Sequence, residues 1–160
     1  MEEEPRRLVV RSASEGDFQV AREIVLSAFL PATWYEKLID LHGLFNGLDA
    51  VGMWQVRFAD AFSASECVVG ETKDGVVGCA LYSLNRKTRI GYLDLLAIHP
   101  DWQQQGLGGE MLQATCDHMK RCGASAVLLL CDAGNAKASQ MYATHGFQTV
   151  TQTLRWFKAL

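Results

Sequence analysis

The sequence predicts a mixed α/β fold: a largely antiparallel sheet containing one parallel strand pair, with helices on both faces. Three observations predict it. Apolar residues between positions 18 and 62 recur every three to four residues, the period of a buried helical face. From Glu66 the period changes, and two branched apolar runs, Cys67-Val68-Val69 and Val76-Val77-Gly78-Cys79-Ala80-Leu81, flank an Asp74-Gly75 turn, as in a hairpin. Finally, an apolar strand, a glycine-rich turn, an amphipathic helix and a second apolar strand follow one another over residues 92–131. Such a crossover unit makes its two strands parallel.

Taken in order, residues 8–10 form a first short strand, and Ser14-Glu15-Gly16-Asp17 is a helix-start signal. The helix runs from about Phe18 with Ala21, Ile24, Val25 and Ala28 on its inner face, and Pro31 ends it. Residues 32–64 read as two short helices. The first carries Trp34, Leu38 and Leu41, and the second a Trp54, Phe58, Phe62 stripe that belongs to the core. After the hairpin, residues 85–89 turn the chain, and Tyr92 to Ile98 form the third strand of the sequence from Glu66, closed by His99-Pro100. The next helix presents Met111, Leu112, Thr115, Cys116 and Met119 to the core, carries Lys120 and Arg121 in its last turn and stops at Gly123. Residues 126–131 are apolar throughout, as a strand covered on both sides would be. Asn135 caps a short helix that stops at Gly146, and residues 150–157 read as a final strand or bent hairpin.

At 160 residues with 49% apolar and 21% charged side chains, the chain has the composition of one folded domain covering 1–160, not of a disordered or fibrous protein. Its net charge of -3 supplies no field that would draw the whole molecule onto nucleic acid. No apolar run approaches the roughly 20 residues of a membrane helix. The start, Met1-Glu2-Glu3-Glu4-Pro5, is acidic where a secretory signal is basic, so a cytoplasmic location is expected. Five cysteines, odd in number and without a CxxC, read as reduced thiols, mostly in the core. The four histidines make no zinc-spaced cluster, and no metal site is expected.

The chemistry-bearing stretch is Gln103-Gln104-Gln105-Gly106-Leu107-Gly108-Gly109, which directly follows a strand and opens a helix. Several main-chain N–H groups converge there with the positive end of the helix dipole, which makes an anion cradle. Glycine at 106 and 108 removes the Cβ atoms that would hold a phosphate away. A tight turn without a ligand is the other reading of the loop alone. No GxxxxGK[ST] or GxGxxG pattern occurs, so the two commoner nucleotide loops are excluded.

Residues 96–108, Leu96-Ala97-Ile98-His99-Pro100-Asp101-Trp102-Gln103-Gln104-Gln105-Gly106-Leu107-Gly108, closely resemble the signature of the GNAT superfamily of acyl-CoA-dependent N-acyltransferases. A second block, Asn135-xx-Ala138-xx-Met141-Tyr142-xxx-Gly146-Phe147, resembles the family pattern after the next strand. The resemblance implies a GNAT-like fold in which the central parallel strands splay apart to admit acetyl-CoA as cosubstrate. It implies that the loop from Gln103 through Gln104, Gln105, Gly106, Leu107, Gly108 and Gly109 holds the pyrophosphate. The backbone of Leu96, Ala97 and Ile98 would pair with the pantetheine arm and polarise the thioester carbonyl. Tyr142 would protonate the departing thiolate, and Asn135 would contact the cofactor arm, although helix packing and helix capping respectively are open to these two residues as well. Lys137 is a further candidate for a coenzyme A phosphate.

Many family members place a glutamate as general base on the strand before the loop. This chain has Tyr92 and Asp94 there, two apart and so on one face; Asp94 is the candidate base, with a plain salt bridge as the other reading. The expected reaction passes an acetyl group directly to a primary amine of a small molecule or peptide. A non-catalytic acyl-CoA-binding module and an acyltransferase with Cys79 or Cys131 as nucleophile are the alternatives. The acceptor is not legible, and a homodimer through the C-terminal segment with Trp156 and Phe157 is open.

Overall fold

The computed structural model describes residues 8–30 and 34–160. Strand β1 (Val9–Ser12) leads through a 3-10 turn at Glu15–Asp17 into helix α1 (Phe18–Phe29). The helix start lies where Ser14 and Asp17 predict it. The Asp17 carboxylate accepts from Ser14 N–H (2.7 Å) and from the Ser14 hydroxyl (3.0 Å), which ties off the turn. Pro31, the expected stop of α1, lies outside the described residues.

Two helices occupy the next stretch, as the sequence predicts, but the second runs a full fifteen residues. Helix α2 (Tyr35–His42) ends at Gly43, whose φ of +88° a side chain rarely adopts. Helix α3 (Ala50–Ala64) is capped by Asp49, whose carboxylate accepts from Gly52 N–H at 2.9 Å. Its aromatic stripe is core: Trp54 and Phe58 are buried, and Phe58 and Phe62 both pack against Phe18 of α1.

Strands β2 (Glu66–Thr72) and β3 (Gly75–Asn85) form the predicted hairpin. The turn residues are Lys73 and Asp74, and Gly75 takes the positive φ of +115° while pairing with Thr72. Strand β4 (Ile90–Ile98) begins two residues earlier than expected, a 3-10 turn at Pro100–Trp102 follows, and helix α4 (Leu107–Arg121) returns the chain to β5 (Ala126–Leu129). Helix α5 (Ala136–Thr144) comes last. The sheet order is β1-β2-β3-β4-β5, antiparallel throughout except for the parallel β4-β5 pair.

The sheet separates two cores. Helix α4 packs Met111, Leu112 and Met119 against Val68, Ala80, Tyr82 and Leu93 on one face. Helices α1 and α3 pack Ile24, Val25, Trp54 and Phe58 against Cys79, Leu81, Leu95 and Ala97 on the other. The apolar stripes of α1, α3 and α4 are thus buried on one side or the other of a doubly covered sheet, as the predicted fold class requires, whereas α2 buries no residue and leaves Leu41 exposed.

Three expectations are corrected. Strand β5 is four residues long with alternating exposure, not a six-residue strand covered on both faces; Leu130 and Cys131 lie beyond it, exposed. Residues 150–157 form no strand. The C-terminal segment instead crosses to α2, where the Arg155 guanidinium lies 3.9 Å from the centre of the Trp34 ring and Phe157 packs edge-on to His42 and Phe45. Without a strand beyond it, β5 is the edge of the sheet, and the parallel pair sits at that edge instead of the centre. Among the described residues no helix is long and apolar enough to cross a membrane, and no three His, Cys, Asp or Glu side chains gather as a metal site would need.

Candidate functional site

The site begins with a defect in β4. Leu81 pairs with Leu95 and Tyr82 with Leu93, so Asp94 is an extra residue with no partner on β3. Such a bulge bends its strand. Its effect shows in the side chains: Leu93 and Leu95, two apart, enter opposite cores. The parallel ladder to β5 ends just before the bulge, at Leu93 and Leu129, while β4 continues along β3 as far as Ile98. Beyond Leu93 the outer edge of β4 therefore has no strand paired to it.

The main-chain groups on that edge follow from alternation. His99 N–H donates to Val77 O on β3 (2.8 Å), so residues 97 and 99 face β3 whereas 96 and 98 face the gap. The Ile98 carbonyl agrees: it accepts from the Gln103 side chain at 2.9 Å. Of the three strand residues expected to meet the cofactor, Leu96 and Ile98 thus offer backbone N–H groups to the opening. Ala97 spends its groups on β3 and its methyl in the α1–α3 core.

The edge runs directly into the glycine loop. Gln104 adopts a φ of +61° and Gly106, the N-cap of α4, a φ of +80°. A Cβ on Gly106 would meet nothing within 4 Å, so this position needs glycine for its backbone conformation, and the space beside it is clear. The first-turn N–H groups of Leu107, Gly108 and Gly109 have no acceptor within the helix and point out of its N-terminus, at the positive end of its dipole. That arrangement fits a diphosphate. Gln104 and Gln105 are exposed beside it, while Gln103 braces the end of β4.

Gly108 and Gly109 have a second cause. A Cβ on Gly108 would lie 3.3 Å from Met141 Sδ, and one on Gly109 only 2.7 Å from His145 Cε1. Their bareness lets α5 lie against the first turn of α4, and this contact brings the two sequence blocks together. Asn135 caps α5 by accepting from Ala138 N–H at 3.1 Å, which commits its carbonyl oxygen to the fold. Lys137 is exposed in the first turn of α5. Tyr142 is half-buried against the α4-side core, with the Phe147 ring 5.8 Å away. Burial first, and Cys131 second, push its phenol above the usual tyrosine range, so it remains a proton donor at neutral pH.

On the opposite face Asp94 is half-exposed and ion-paired with Arg57 of α3 at 3.1 Å. The guanidinium also lies over the Trp54 ring, 4.8 Å from its centre. Asp94 forms part of the wall of an open cavity of about 670 Å³ between α2, α3 and β4. Phe45, Leu48, Met53 and Val56 supply apolar walls, and Asp60 a second carboxylate. Arg57 and these wall residues were not legible beforehand. The only sequence trace of them is the helical spacing that puts Arg57 three places after Trp54.

The cysteines divide by depth. Cys79 is buried, and its contact with Cys67 (Sγ to Sγ 3.7 Å) together with burial pushes its thiol far up, the opposite of an activated nucleophile. Cys122 and Cys131 are exposed, contrary to the expected core placement, and Cys131 lies in the loop after β5.

A family model described as the acetyltransferase (GNAT) family matches residues 33–147. The ribosomal protein bS18 alanine N-acetyltransferase of Escherichia coli is 36% identical over 56 residues, 35% of this chain and 38% of that protein. N-alpha-acetyltransferase 30 of Schizosaccharomyces pombe is 30% identical over 83 residues, 52% of this chain and 55% of that protein. The matches thus span less than two thirds of these curated relatives. The crystal structure of the E. coli enzyme superposes with a TM-score of 0.67 at 20% identity, covering 91% of this chain and 80% of that one. An aminoglycoside N-acetyltransferase in complex with CoA superposes with a TM-score of 0.68 at 9% identity, covering 100% of both chains. At these identities the structural likenesses speak to the fold.

Proposed function

Because the chain belongs to the GNAT acetyltransferase family, we propose that it moves an acetyl group from acetyl-CoA directly to a primary amine in a ternary complex. The observation that carries this reading is the open edge of β4 beyond the Asp94 bulge, leading without interruption into the bare first turn of α4.

In this reading the N–H groups of the loop and of the first turn of α4 hold the pyrophosphate. Each dipole-scale contact contributes only about 0.3–1 kcal/mol, so several act together. Leu96 and Ile98 pair with the pantetheine arm like an added strand. An N–H on that edge donates to the thioester oxygen as the amine attacks, a kind of contact worth about 10²–10³ in rate elsewhere. Asp94, directly or through water, takes the proton the amine loses as the C–N bond forms. Tyr142 gives its proton to the sulfur as the C–S bond breaks.

The test is CoA-thiol release by the purified protein with acetyl-CoA and a panel of amines, beside calorimetry with CoA. Turnover and heat are expected in the parent protein. Tyr142→Phe is expected to lower kcat about 10²-fold with little change in the KM for acetyl-CoA. Heat without turnover on any amine would favour the non-catalytic module, and unchanged kcat in Tyr142→Phe would remove the tyrosine from the mechanism.

A further inference from the structure

One end of the molecule concentrates positive charge. Arg86, Lys87 and Arg89 lie in the turn between β3 and β4, and Lys120 and Arg121 in the last turn of α4; all five are exposed. Hydrogen bonds bring the two segments together. Arg89 Nε donates to the Gly123 carbonyl at 2.9 Å, and the Arg89 carbonyl accepts from Ser125 N–H at 2.8 Å and from its hydroxyl at 3.3 Å. Asn85 Oδ1 accepts from the N–H groups of Lys87 and Thr88 at 3.0 and 3.1 Å, which fixes the turn itself. The Tyr82 phenol, raised above its usual range by burial, donates toward Cys122 Sγ at 3.8 Å, and Arg86 is near enough to pull it back down.

Among the described residues no carboxylate pairs with any of the five, whereas Arg11 and Arg57 elsewhere each hold one. Glu66 of β2 and Asp117 of α4 are the carboxylates on the adjoining strand and helix, and neither ion-pairs with the cluster. The helix dipole accounts for Lys120 and Arg121 at the end of α4. It does not account for three further cations tied beside them from another turn. Like charges gathered in this way repel one another unless an anion lies across them.

Position separates the cluster from the proposed cofactor cradle. Helix α4 is fifteen residues long, so its last turn stands about 20 Å from the glycine loop at its start. The surroundings narrow the partner. None of the exposed large apolar side chains falls within residues 83–91 or 117–127. A membrane-surface site adds apolar side chains that enter the headgroup region, and a protein interface has an apolar centre. A phosphodiester backbone asks for neither, because guanidinium forks and ammonium groups on a polar surface suffice to hold it.

We propose that this end of the molecule is a nucleic-acid-binding surface that grips the phosphate backbone without reading its sequence. Docked by this end, the molecule keeps the glycine loop, at the far end of α4, clear of the phosphates. The net charge of -3 over the whole chain confines the attraction to the cluster and makes it sensitive to salt.

Fluorescence anisotropy of the full chain with short labelled duplexes, DNA and RNA, each in two unrelated sequences, tests it. Micromolar binding is expected at about 50 mM salt, equal for the two sequences, and about 10²-fold weaker at about 200 mM as roughly four phosphate contacts are lost. Arg86→Glu with Lys87→Glu, and separately Lys120→Glu with Arg121→Glu, are each expected to weaken binding about tenfold or more and to lower the salt slope by about two. Lys37→Glu with Lys73→Glu makes the same change in net charge at exposed positions outside the cluster, and should weaken binding less than about threefold. The parent protein supplies a test free of folding defects: Cys122 lies within the cluster and Cys131 in the loop after β5, both exposed. Bound duplex is expected to slow iodoacetamide alkylation of Cys122 about fivefold and to leave Cys131 unchanged. No binding at about 50 mM salt, equal losses in the cluster and control variants, or an unprotected Cys122 would overturn the inference. Binding to phosphatidylserine vesicles but to neither duplex would overturn it as well, and would assign the surface to a membrane.

Discussion

Arg11 grips Asp17 through contacts of 2.8 and 3.0 Å and reaches Glu71 at 2.8 Å, so one guanidinium ties β1, the start of α1 and β2 together. The Arg11 hydrogen bond leads, with help from Ser14, in holding the Asp17 carboxyl well below the usual carboxylate range despite its burial. A depressed folded-state pKa stabilises the fold above the unfolded value near 4, and that stability is lost as pH falls toward the folded value. Asp17→Asn is therefore expected to lose about 1–3 kcal/mol at pH 7. The gap between variant and parent should shrink steadily below about pH 4, read from urea midpoints across pH. The Ser14–Asp17 turn is legible in the sequence because its partners are three residues apart. Arg11 is not, because only the strand register aims it at Asp17 and Glu71. Asp94 shows the same limit: its identity and face could be read, its bond to Arg57, 37 residues away, could not.

Among the elements, α4 and α5 decide the site together. Gly109 reads in the sequence as a bare backbone donor, yet its missing Cβ also makes room for the His145 ring, which is held by a 2.8 Å contact from Nδ1 to the Met141 carbonyl. Gly109→Ala is expected to destabilise the fold by about 1–3 kcal/mol, because the ring must leave that contact or α5 must shift. Adding His145→Ala to Gly109→Ala should recover most of the loss, a coupling that a double-mutant cycle on urea midpoints measures directly. The elements that sequence patterning captured best are those with long single-period runs, α1, α4 and the β2–β3 hairpin. It placed β5 but made it two residues too long and covered on both faces, and it failed at residues 150–157, where apolar and β-branched composition suits a strand but composition does not say which edge the chain will meet. Here the segment meets α2, with Arg155 on Trp34 and Phe157 on His42 and Phe45.

At the scale of the molecule, the sheet divides two apolar cores that share its strands but not their helices. Phe58→Ala in the α1–α3 core is expected to cost about 3–5 kcal/mol, and Met111→Ala in the α4 core about 2–5 kcal/mol. Because the sheet stands between them, the double variant should lose the sum to within about 0.5 kcal/mol. A marked departure in urea unfolding would mean that the two faces are coupled through the strands. The same division orders the candidate site: the proposed cofactor cradle belongs to α4, the Asp94 cavity to α3, and the β4 bulge lies between them.

By itself the sequence determined the fold class, the hairpin, the crossover unit and the glycine loop, because each depends on residue types at short, regular spacings. Tertiary structure alone decided that β4 bulges at Asp94 and parts from β5 after Leu93, that Leu96 and Ile98 but not Ala97 face the gap, and that Arg57 guards Asp94 within an apolar cavity. These depend on register and on contacts between distant segments, and a one-residue slip in pairing reverses which groups a strand presents to either side.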